Sequence, residues 1–162
     1  MVKKKNTKEQ LVSLDNILIS SSAGAIRLSK EKVNIWLNKV AKEYKREIAA
    51  LEYNFMSDEE LLKYNIKYLN HNTYTDIITF DLSDGKEING SILISLDRIK
   101  DNAKTYKRGL LNETKRVLAH GLLHLIGFKD KNPNDLAKMR EAEEKAIYLY
   151  NKIYQVPREK NG

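Results

Sequence analysis

The chain contains no cysteine. That excludes thiolate zinc sites, iron–sulfur clusters, cysteine nucleophiles and a disulfide framework, and it fits a reducing compartment. Any metal must therefore be held by His, Asp or Glu, and there are only 3 histidines. Proline is scarce too: Pro133 and Pro157 both lie near the end. No Gly/Ser-rich linker and no repeat divides the chain. Long apolar runs are also absent. The best charge-free stretch, Val117 to Phe128, carries two histidines and falls short of the ~18 residues that span a bilayer. The basic head resembles a signal n-region, but Asp15 and Asn16 interrupt the adjoining stretch before an apolar region develops. The expectation is a cytoplasmic protein with no membrane partner.

What is present fits one domain spanning 1–162, with frayed polar ends at 1–7 and 157–162. A chain of this length buries roughly 70% of its unfolded surface, enough for a core without staples. Lys and Arg number 29 against 22 Asp and Glu, a net charge of +7 that commonly accompanies a polyanionic partner such as nucleic acid or an anionic membrane, between which composition alone does not choose.

Periodicity predicts an order β-α-β-α-β-β-α-α-α. Ile17 to Ser20 is a short apolar segment. Ser29 to Arg46 places Val33, Trp36, Leu37, Val40 and Tyr44 at helical spacing behind Ser29 as N-cap. Glu47 to Phe55 reads as a strand, and Ser57 with Glu59 and Glu60 opens a helix through about Asn65. Asp76 to Leu82 and Gly90 to Ser95 form a hairpin around Ser83-Asp84-Gly85-Lys86. Three helices follow: Leu96 to Lys107, Asn112 to Phe128 stopped by Gly127, and Pro133 to Tyr154. The fold class is α+β, a small mixed sheet covered by helices.

The run His120-Gly-Leu-Leu-His124-Leu-Ile-Gly127-Phe-Lys-Asp130 carries the chemistry. Residues four apart on a helix share a face, so both imidazoles can aim at one point. Gly127 can end the helix in a left-handed conformation, and the reversed chain can return Asp130 as a third ligand. Three protein ligands with a fourth position for water is the arrangement of catalytic zinc. A bare H-x-x-x-H is more often a surface coincidence, but the full run has the spacing of the long zincin motif. Gly121 stands where a metalloprotease needs Glu, so peptide hydrolysis lacks its usual base.

With these residues the chain resembles the YbeY family, bacterial rRNA-maturation endoribonucleases with a single metal site, whose signature is HGxLHLxGYDH. Thr75-Asp76-Ile77-Ile78-Thr79-Phe80 is similar to that family's TDVLSF strand, and Asn89-Gly90-Ser91-Ile92-Leu93-Ile94 to its GDI strand. Met139 and Glu143 fall where its terminal helix carries similar residues. The resemblance implies His120 and His124 as ligands on a central helix of an α+β fold, with a zincin-like metal site holding one Zn2+ per chain. Two positions depart from the pattern. Asp130 replaces the third histidine, which adds negative charge to the shell, lowers the acidity of a bound water and opens the site to harder divalent ions. Leu69 occupies the place of an arginine in the family's YRGKD-like segment.

His71 is a candidate for contacting phosphate or moving a proton, with a solvated loop histidine as the plainer alternative. Asp76 reads as a strand-end residue pairing with backbone amides rather than as a partner for a ligand imidazole. Lys100, Lys104, Lys107 and Arg108 gather on one stripe if Leu96 to Lys107 is helical, and such a stripe could track RNA phosphates. Tyr64, Tyr68 and Tyr74 read as core residues beside the sheet, with base stacking as the alternative. Asp135, Lys138, Arg140, Glu141, Glu143, Glu144 and Lys145 read together as the exposed face of the terminal helix.

The resemblance therefore implies a single-strand-specific, metal-dependent endoribonuclease of rRNA maturation, acting at the 3′ end of small-subunit (16S) rRNA and in ribosome quality control. Its partners would be rRNA and pre-ribosomal particles, together with ribosomal proteins or another nuclease. The alternative is a non-enzymatic rRNA-binding assembly factor in which a structural metal pins the loop after Gly127.

Overall fold

The computed structural model describes residues 15–157, so segment 1–7 and nearly all of 157–162 lie outside the described residues. Among the described residues, four strands and five helices follow in the expected order: β1 (Ile17–Ser21), α1 (Lys30–Glu43), β2 (Ile48–Met56), α2 (Asp58–Leu69), β3 (Ile77–Asp81), β4 (Ile88–Ser95), α3 (Leu96–Thr105), α4 (Leu110–Ile126) and α5 (Pro133–Tyr154). The fold is α+β. Strands lie in the order β1-β2-β4-β3, the first three mutually parallel and β3 antiparallel to β4.

Local chemistry sets the helix ends. Ser29, Ser57, Ser95 and Asn132 cap α1, α2, α3 and α5, each side chain accepting a backbone N–H within the first turn. Pro133 occupies the first turn of α5, where its missing N–H leaves no bond unmade. Helix α2 runs to Leu69, a turn beyond the expected end, and stops where Asn70 adopts a left-handed conformation. Helix α3 ends earlier than its charge pattern suggests, at Thr105, because Lys107 has φ 52° and Arg108 N–H already bonds back to Ala103 O. Lys107 and Arg108 therefore leave the helical spacing that would align them with Lys100 and Lys104.

One face of the sheet carries Leu51, Tyr53 and Phe55 of β2 in register with Gly90, Ile92 and Ile94 of β4. These side chains join α1, α4 and α5 in the larger core, with Trp36, Leu118, Leu122 and Met139 buried among them. Burying this apolar surface supplies the main stabilisation, at about 25 cal/mol per Å². The indole N–H of Trp36 reaches Ala146 O at 2.7 Å and the Tyr53 hydroxyl reaches Leu118 O at 2.7 Å, so both polar tips are satisfied inside. On the opposite face, Met56, Leu61, Ile78 and Leu93 form a smaller cluster beneath α2. Tyr64, Tyr68 and Tyr74 are not core residues: all three are exposed, Tyr64 and Tyr68 stacking on each other at 5.9 Å. Alternation decides this, because α2 turns Leu61 and Asn65 inward and leaves its tyrosines on the outer face.

Candidate metal centre

Helix α4 is buried along most of its length, and it lies close on the sheet because two glycines face each other's neighbours. A Cβ on Gly121 would meet Ile92 Cδ1 at 2.7 Å, and one on Gly90 of β4 would meet Leu125 Cδ1 at 2.7 Å. Residue 121 thus points into the sheet and away from the imidazoles. The base position of a zincin peptidase is closed here by packing as well as by residue identity.

His120 and His124 project from the open side of α4, their rings 5.3 Å apart and nearly perpendicular. Gly127 ends the helix with φ 131°, a backbone conformation that side-chain-bearing residues rarely adopt, and its N–H bonds to Leu123 O and His124 O. The turn after it returns Asp130 to the pair: Oδ2 lies 3.4 Å from His120 Nε2 and Oδ1 lies 3.4 Å from His124 Nε2. All three ligand atoms fall within 4.8 Å of one another. Donors about 2.0–2.1 Å from a tetrahedral zinc sit about 3.3–3.4 Å apart along an edge, so the two histidine–carboxylate spacings fit such an ion. Two imidazoles and one carboxylate also suit other divalent metals.

Behind the candidate ligands lies a carboxylate that the sequence pattern assigns to solvent. Glu143 is 3% exposed, and its Oε2 is 2.6 Å from His120 Nδ1. With Nδ1–H donating to Glu143, the lone pair of Nε2 faces the cluster, the orientation a ligand imidazole needs. Arg116 lies 3.4 Å from Glu143 and donates to the fully buried Glu113 at 2.6 Å, and Arg108 donates to Glu113 at 3.1 Å. Burial alone would lower the pKa of Arg116. Its hydrogen bonds to Glu113 and Glu143, with their charges, raise it well above the usual arginine value instead, so the guanidinium stays charged. A signal for Glu143 was present: it stands four residues after Met139, on the same stripe of α5 as the buried Ala142 and Ala146.

The cluster opens into a cleft of about 530 Å³ walled by β3 residues, Leu69, Thr75 and Asp76. Asp76 sits at its rim, where its carbonyl accepts from Ser95 N–H. Leu69 reaches this cleft, whereas His71 is exposed in the loop beyond and is not among the cleft-lining residues. Lys100 and Lys104 are exposed on α3 and are not among the residues lining the cleft. Among the described residues, no helix is long and apolar enough to cross a membrane.

A protein-family model described as Endoribonuclease YbeY matches residues 18–151. The chain is 48% identical over 121 residues to an endoribonuclease YbeY of Cytophaga hutchinsonii, covering 74% of this chain and 85% of that one. It is 44% identical over 116 residues to one of Flavobacterium johnsoniae, covering 72% and 84% respectively. A solution structure of a Thermotoga maritima protein shares the fold, with TM-score 0.63, 22% identity, and 86% of this chain and 91% of that chain covered. Identity at this level over most of both chains, joined to a His-His-Asp cluster at the family's motif, places the chain in the YbeY endoribonuclease family.

Proposed function

We propose that this chain is a metal-dependent endoribonuclease that cuts single-stranded RNA during rRNA maturation, with the 3′ end of 16S rRNA as its target and ribosome quality control as its setting. The observation that carries the reading is the convergence of His120, His124 and Asp130 on one point of an open cleft, with Glu143 holding His120 from behind. It would act in the cytoplasm as a single domain on pre-ribosomal particles, with ribosomal proteins or a second nuclease as further partners.

His120, His124 and Asp130 would hold one zinc ion, which supplies Lewis-acid stabilisation of the charge developing on the scissile phosphodiester. Glu143 fixes the tautomer and orientation of His120 through Nδ1. Arg116 pairs with Glu143 and holds it in place. Gly121 leaves no carboxylate at the base position of the zincin motif, so a proton must be taken by another group, by solvent or by the RNA itself. His71, in the adjacent loop, is the histidine remaining for that role. End-group analysis separates the two routes: 2′,3′-cyclic phosphate ends identify the RNA's own 2′-hydroxyl as the attacking group.

The test is cleavage of precursor rRNA by metal-loaded protein, compared with Asp130→Ala and with a His120→Ala, His124→Ala double variant. We expect about one zinc per chain in the parent, loss of metal in both variants, and loss of cutting with it. Full-rate cutting by the metal-free double variant would overturn the reading.

A further inference from the structure

The metal cleft is lined by Asp76, Asp81 and Asp130 and by no lysine or arginine, which is a poor seat for a polyanion on its own. A second cleft of about 430 Å³ adjoins it across Thr75 and Asp76, which line both. There the balance reverses. Arg98 of α3, Arg108, Arg116 of α4 and Arg140 of α5 all line it, with Asp76 the sole carboxylate on its wall.

Three of these arginines are committed to carboxylates behind the wall. Arg98 pairs with Asp58 at 3.1 Å, and Arg108 and Arg116 share Glu113. A guanidinium has five N–H donors; Arg108 commits one to Glu113, Arg98 two to Asp58 and Arg116 three to Glu113 and Glu143, so each retains donors for an anion while being held in place. Arg140 differs: it is exposed and makes no ion pair or hydrogen bond among the described residues. Two aromatic faces flank the cleft. Tyr74 lies against Arg98 at 5.5 Å and Tyr106 against Arg108 at 5.2 Å, with 54% and 59% of their surfaces exposed.

Placement along the helices joins the two clefts. Arg116 stands four residues before His120, and Arg140 three before Glu143, so each sits about one helical turn along its helix from a residue of the metal cluster or its support. We propose that this arginine cleft seats a phosphodiester flanking the scissile one in single-stranded RNA, with Arg140 as the contacting cation and Tyr74 and Tyr106 as stacking faces for adjoining bases. The identity of the strand rests on the endoribonuclease reading above.

The experiment is fluorescence anisotropy of a short 2′-O-methyl oligoribonucleotide titrated with metal-loaded protein across a series of salt concentrations. Parent, Arg140→Ala and Arg27→Ala are compared, Arg27 being an exposed arginine that lines neither cleft. Loss of one phosphate contact reduces the slope of log affinity against log salt by about 0.7 for a single strand, which near physiological salt is roughly a fourfold loss of affinity. We expect both changes in Arg140→Ala and neither in Arg27→Ala. An Arg140→Ala slope and affinity indistinguishable from those of Arg27→Ala would overturn the proposal. Cleavage of the unmodified strand, assayed in parallel, separates the two readings. A parent that binds with the Arg140-dependent slope but never cuts defeats the nuclease reading alone, and one that cuts without that slope defeats the cleft alone.

Discussion

Glu143 has polar partners inside the protein, His120 Nδ1 at 2.6 Å and the Arg116 guanidinium at 3.4 Å, in place of the water it has lost. A buried carboxylate without such partners would take up a proton or unfold the site. The arrangement predicts what its neutral isostere does. Glu143→Gln keeps the volume, removes the charge that stabilises the Nδ1–H tautomer, and should lower metal affinity by about 10–100-fold. Competition against a chelating dye measures this, and an affinity equal to the parent's would mean that His120 is oriented by packing alone. The candidate ligands themselves are legible because His120, His124 and Asp130 are local, joined by one helix turn and one glycine-ended reversal. Glu143 is 23 residues from His120, and the charge pattern around it mimics a solvated face.

At the scale of elements, the approach of α4 to β4 depends on having no side chain at residues 90 and 121. Gly121→Glu tests this and the peptidase alternative together. The new carboxylate would be driven against Ile92, a fully buried residue, with no hydrogen-bonding partner offered by the sheet. We expect a destabilisation of several kcal/mol, seen as a large drop in melting temperature, and no gain of peptide cleavage. A stable, peptide-cutting variant would show that residue 121 can turn toward the cluster. Helix α3 gives the complementary lesson. Its cations form a stripe only while the helix continues, and the left-handed Lys107 with the Arg108–Glu113 pair divides them into exposed lysines and a fixed arginine. Sequence spacing could not show that division, because the residue that captures Arg108 belongs to the next helix.

For the whole molecule, α4 and α5 are held together by Met139, Ala142 and Ala146 against the core and by the buried Glu113–Arg116–Glu143 network. None of these contacts passes through Asp130. Chelation should therefore abolish RNA cleavage while leaving far-ultraviolet circular dichroism unchanged. Collapse of helicity on chelation would instead favour the assembly-factor reading with a structural metal. The core also fixes behaviour at high pH. Burial raises the Tyr53 phenol far above its ordinary value of 10.0, and the phenols of Tyr44, Tyr150 and Tyr154 are raised as well, chiefly by burial. A raised folded-state pKa contributes stability in full below the unfolded value, about 10, and loses it as pH climbs beyond. Denaturant midpoints should therefore fall progressively above about pH 10, and less steeply in Tyr53→Phe. An equally steep fall in that variant would assign the alkaline loss to other groups.

The sequence by itself determined the element order, the α+β class, the caps at Ser29 and Ser57 and the Gly127 reversal, because periodicity, capping and backbone permissiveness act within a few residues. It also carried the family motif for the same local reason. Only the tertiary structure decided that Glu143 is buried behind His120, that Gly121 faces Ile92, that Leu69 reaches the cleft while His71 lies outside, and that four arginines from separate stretches share one wall. Those outcomes depend on how α4, α5 and the sheet pack, and the contacts that fix that packing join residues far apart in the chain.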